Sequence, residues 1–153
     1  MKRHWLVVAD AATVRIFETD SKYTKLHLIE QLDHPETKLK TADLVSDDRG
    51  RAQTSQGGHI AYERHTDPHR ATVHAFAAEV GARLVAAHHA HTFEGLVLTA
   101  PPVFMGELRP QLTGLGDKVV GTITKDFAKV PEHELLARIH ADLPALAGKP
   151  ARA

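Results

Sequence analysis

The sequence predicts a single α/β domain, a mixed sheet of about five strands with helices packed on it. Two observations predict this layering: strand-like runs crowd the beginning of the chain, and strands and helices alternate after residue 67. A third bounds it: 153 residues suit one ordinary domain, and 42% apolar content is enough for a real core.

Trp5–Ala9 is a short continuous apolar run and reads as a buried strand. Thr13–Glu18, TVRIFE, alternates and reads as a second strand. The linker Asp10-Ala11-Ala12 is so short that the pair must be an antiparallel hairpin, with Asp10 at its tip. Lys25–Gln31, KLHLIEQ, alternates again and makes a third strand after a turn at DSKY. From Asp33 to Asp67 the pattern collapses. The part TKLKTADLVSDDRGRAQTSQGGH has few apolar residues beyond Leu39, Leu44 and Val45. So long a patternless stretch inside a compact domain is usually functional or disordered. One short strand or helical turn is expected near Lys40–Val45, and a mobile loop over 46–66.

Asp67 suits an N-cap and Pro68 the first helical position. Val73, Phe76, Ala77, Val80, Leu84 and Ala87 then form one apolar stripe, so a helix should run to about His89. His88, His89 and His91 fall in or beyond its last turn, where an imidazolium suits the negative end of the dipole. Gly95–Ala100 is apolar throughout, as a central strand should be. Pro101-Pro102 starts a short helix, VFMGELR, which Pro110 kinks or ends. Gly116-Asp117 is the turn before a strand at Val119–Thr124. Pro131 opens the last helix, with Leu135, Leu136, Ile139 and Leu143 toward the core. Residues 1–143 therefore form one domain, and 144–153 a frayed tail.

With no cysteine, the chain has no disulfide, thiol nucleophile or cysteine-based metal site. The apolar run Trp5–Ala9 is shorter than the roughly 7–15 residues of a secretory core. Nothing approaches the ~18 apolar residues of a membrane span, so the expectation is a soluble, cytoplasmic protein with no membrane partner. Basic and acidic residues balance at 19 each, so the total charge does not imply strong nonspecific binding to nucleic acid. The unusual count is 12 histidines. Their unperturbed pKa is about 6.5, so mild acid would turn the chain cationic.

Three groups of residues invite a metal reading. His59, His65, His69 and His74 with Asp67 could gather round an ion, but an irregular loop does not preset tetrahedral geometry. HELLARIH at His133–His140 lacks the zincin spacing, because Ala137 stands where the second histidine belongs. Glu132 and Glu134 there suit a helix N-terminus. Asp10 sits at a strand end, as in two-metal nucleases, but no second carboxylate stands at a matching strand end, and it reads as a turn residue. No metal or cofactor is expected. Gly57-Gly58 allows backbone conformations closed to other residues. Around it Arg49, Arg51, Arg64 and Arg70 outweigh Asp47, Asp48 and Glu63, and Tyr62 offers a face for stacking on a base. The predicted binding set is Arg49, Arg51, Gln56, Gly57, Gly58, His59, Tyr62, Arg64, His65 and Arg70.

WLVVADAATVRIFE, DLVSDDRGR, the Gly-Gly pair with TDPH, LVLTAPPVFMGELR and VPEHEL resemble, in order and spacing, the bacterial host-attachment protein family. That resemblance spans Trp5 to about Leu143 and implies a role in attachment to host cells. The family is in turn similar to the middle domain of archaeal and eukaryotic class-1 translation release factors. This implies a ribonuclease H-like layout and an active loop ahead of the long helix. In the release factors that loop reads Gly-Gly-Gln. Here His59 follows the pair and Gln56 precedes it, and the distance to the helix is longer. The reading is therefore a noncatalytic module contacting RNA or the ribosome through residues 49–70. Two alternatives stay open: a protein-interaction module influencing attachment, and a hydrolase using His59 or His65 as base.

Overall fold

The computed structural model describes residues 3–34 and 68–147. The strands are β1 (His4–Ala9), β2 (Thr13–Thr19), β3 (His27–Asp33), β4 (Gly95–Thr99) and β5 (Val119–Ile123). The helices are α1 (Pro68–His89), α2 (Pro102–Leu108) and α3 (Glu132–Asp142). They form the single α/β domain expected, with the sheet order β3-β2-β1-β4-β5. β2 runs antiparallel to β1 and β3, while β1, β4 and β5 are parallel. With β2 alone reversed, this is the ribonuclease H-like strand layout. Among the described residues no helix is long and apolar enough to cross a membrane.

Every residue of β1 is buried, because helices cover both faces of the sheet. Trp5, Val7 and Ala9 face one core with Val14, Ile16 and the residues of α1 and α2. Leu6 and Val8 face the other with Phe17, Val97 and the α3 residues Leu135 and Ile139. The α1 stripe is buried at all six predicted positions. Gly81 lets α1 approach the 3₁₀ turn at Arg109–Gln111, since a Cβ there would come within 2.4 Å of the Gln111 side chain. On the α3 side, Arg15 reaches from β2 and donates to the carbonyls of Phe127, Ala128 and Val130 at 3.2, 3.0 and 3.1 Å. One guanidinium thus ties down the connection that leads into α3.

The third strand starts later than KLHLIEQ implies. Asp20 builds a turn that keeps Lys25 and Leu26 out of the ladder. Its Oδ1 accepts the amides of Lys22 and Thr24 at 3.0 and 3.1 Å, and its Oδ2 the Thr24 hydroxyl. Burial raises the Asp20 pKa, but these bonds and those from the backbone outweigh it and hold the carboxyl below its usual range. The ladder is also bulged between Ile16 and Phe17, which leaves Leu28 and Ile29 partly exposed on an edge strand. Strict alternation could not foresee that slip.

Tyr23 closes the Asp20 turn in the left-handed region, at φ 56. That conformation costs a tyrosine about 1–2 kcal/mol. Full burial of the ring, worth about 1.5–3 kcal/mol for a large side chain, offsets it. The Tyr23 hydroxyl donates to the Trp5 carbonyl at 3.2 Å, so the His4 Nδ1–H donates to the same hydroxyl at 3.1 Å. From α3, His140 Nε2 donates to the Tyr23 carbonyl at 2.8 Å. Burial first, and the Asp20 carboxylate second, push the phenol well above its ordinary pKa.

Both chain segments after a helix also differ in detail. Residues 144–147, expected to fray, form a 3₁₀ turn whose Leu146 packs on the α3 core. At the end of α1 the Thr92 amide bonds the Ala87 carbonyl and the His91 amide the His88 carbonyl, both at 2.9 Å. This is a Schellman cap with His91 in its left-handed position, at φ 58. Backbone geometry therefore gives His91 a part beyond the dipole.

Two outcomes follow. His91→Gly should raise the melting temperature by about 2–4 °C, as relief of about 1 kcal/mol of strain does at this chain length. Tyr23 contributes stability fully below pH ~10, and loses it as pH rises through its elevated folded pKa. Urea titrations at pH ~8 and ~11 should show Tyr23→Phe weaker than wild type at the lower pH, by about 1 kcal/mol, with the gap closing at the higher.

Candidate functional site

Of the ten residues in the predicted binding set, Arg49, Arg51, Gln56, Gly57, Gly58, His59, Tyr62, Arg64 and His65 lie outside the described residues. So do the element expected near Lys40–Val45 and the Asp67 cap. Arg70 is described, and it is exposed on the first turn of α1. What the structure defines is the frame from which residues 35–67 depart and to which they return.

Both ends of that segment stand at the carboxyl edge of the parallel strands. β3 is parallel to β1, so its last residue, Asp33, lies at the edge where β1, β4 and β5 also end. α1 leads back from this edge to the start of β4, which puts Pro68 at the same end. Open α/β sheets place ligands outside the carboxyl ends of their strands.

The departure point is closely held. Asp10 Oδ1 accepts the amides of Ala12 and Thr13, both at 2.8 Å, which bends the chain between β1 and β2. The Thr13 hydroxyl donates to Asp33 at 2.8 Å, and the His34 amide to the Ala12 carbonyl at 2.8 Å. The His34 ring packs on Phe76 of α1, with centroids 4.8 Å apart, and its Nδ1 lies 3.9 Å from Glu79. The return point is held by α2: His74, one turn beyond Arg70, bonds Glu107 at 2.8 Å. Farther along, Arg83 binds Glu30 of β3 at 2.7 Å and stacks over Trp5.

This arrangement presents Arg70, on the first turn of α1, beside a sheet edge whose acids Asp10 and Asp33 already accept hydrogen bonds. Asp10 acts as the turn residue that its position implied. His74, considered above as a metal ligand, is paired with Glu107, and among the described residues no group of three His, Asp or Glu could hold a metal ion. Sequence reasoning missed His34 and the His74–Glu107 pair. No local pattern links residues 33 positions apart on different helices. Only the tertiary packing of α1 on α2 joins them.

Fold and frame define a single-domain α/β protein with a long connection mounted on the carboxyl edge of a ribonuclease H-like sheet. The chain belongs to the family described as "Protein required for attachment to host cells", whose model matches residues 5–139. No curated protein matches the sequence.

Asp10→Ala should cost about 1–2 kcal/mol by urea denaturation, since two turn amides lose a charged acceptor. Asp10→Asn, which can still close the turn, should cost markedly less. A carboxylate held for metal binding would lose its function equally in both variants.

Proposed function

We propose that this host-attachment family protein is a binding module of release-factor-like ancestry that contacts RNA or the ribosome through residues 49–70. One observation carries the reading. The segment that bears the Gly-Gly pair and the arginines begins and ends at the carboxyl edge of the sheet, beside the exposed Arg70. The local excess of Arg49, Arg51, Arg64 and Arg70 suits phosphates, and Tyr62 suits a base. His59 in place of the release factors' glutamine favours binding over hydrolysis.

The family description favours a second reading, a protein-interaction module that influences attachment to host cells. Partner capture separates the two. A specific protein that survives nuclease treatment of the extract supports the second reading, and loss of the bound material on nuclease treatment supports the first.

The direct test is sedimentation with ribosomes. Wild type should pellet above background at low salt, and the bound fraction should fall as salt rises. Replacing Arg49, Arg51 and Arg64 with alanine should remove most of the binding and flatten the salt dependence. Binding should tighten between about pH 8 and pH 5.5 as solvated histidines charge. Background sedimentation of wild type at low and moderate salt, at both ends of that pH range, would overturn the proposal.

A further inference from the structure

The opposite edge of the sheet carries a second feature that the reading above does not use. A groove of about 710 Å³ opens where β1 and β3 begin and β2 ends. That volume lies within the roughly 300–1,000 Å³ of small-molecule sites. Glu18 on its wall pairs with Arg3 at 3.5 Å, and the Asp20 carboxylate accepts the backbone amides of Lys22 and Thr24. Lys25 and His27, also on the wall, have no ion pair among the described residues. Leu26 between them supplies an apolar surface.

Thr19 gives the second, independent observation. It lines the groove, is 8% exposed, and its hydroxyl has no hydrogen-bond partner among the described residues. Buried hydroxyls are nearly always bonded, because leaving one unpaired is destabilising. On a groove wall where the Lys25 ammonium has no ion pair among the described residues, a ligand acceptor is the partner that fits.

We propose that this groove binds a small organic anion, a carboxylate or phosphate monoester on a short apolar body. The charged head lies toward Lys25 and His27 and accepts the Thr19 hydroxyl, and the apolar body rests on Leu26. The site is at the opposite edge of the sheet from Asp33 and Pro68, and it stands or falls apart from RNA or ribosome binding.

The probes are octanoate, octyl phosphate and octanol. Binding can be followed by the fluorescence of the single tryptophan, Trp5, whose strand partner is Glu18, and by amide shifts of residues 18–27. Both anions should bind saturably and octanol at least about tenfold more weakly. The tighter of the two anions names the head group. Thr19→Val should weaken anion binding by about tenfold while raising the melting temperature of the free protein, since it removes an unpaired buried hydroxyl. Lys25→Glu, at an exposed position, should abolish anion binding and leave the fold intact. Absence of saturation with either anion, octanol binding as tightly as the anions, or wild-type affinity in both variants would overturn the proposal.

Discussion

Burying β1 on both faces is the constraint on which the rest of this structure depends. Six consecutive buried residues leave no solvent-facing side, so both cores must be built around one strand. That strand then needs hydrogen-bonded neighbours on each side. β2 supplies one by a tight hairpin, and β4 the other by a parallel crossover. A parallel partner demands a return path across the sheet. α1 provides that path, and it is why residues 35–67 begin and end at one edge.

The two faces are secured differently. The α1–α2 side relies on area, with a buried helical stripe and the close approach at Gly81. The α3 side has a smaller apolar cluster and leans on directed bonds. Arg15 gathers three carbonyls there, and His140 and Tyr23 link α3 to the β2–β3 turn. A hydrogen bond to a charged group is worth about 1.5–3 kcal/mol at most, comparable to one well-buried side chain. Such bonds position α3, while β1 and its neighbours supply the bulk of the stability.

Most of this was legible because it followed from local periodicity. The continuous run at Trp5–Ala9, the alternation after Thr13 and the stripe from Val73 to Ala87 each declare a strand or a helix within a few residues. The failures share a cause. The delayed start of β3, the bulge beside Leu28 and the left-handed His91 depend on turn, ladder and cap hydrogen bonds that hydrophobic periodicity does not encode. The candidate site was legible only as composition: arginines, glycines and histidines within a patternless stretch. Its anchors, His34 and the His74–Glu107 pair, owe their positions to contacts between distant segments.

The two edges of the sheet also differ in how completely their polar groups are used. At the carboxyl edge Asp10, Asp33, His74 and Glu107 are bonded to one another's elements, which makes a stiff mount for the segment between them. At the amino edge the Asp20 carboxylate accepts several hydrogen bonds, yet the neighbouring Thr19 hydroxyl has no partner among the described residues. The unpartnered Thr19 hydroxyl on the groove wall is the group that the proposed anion would satisfy.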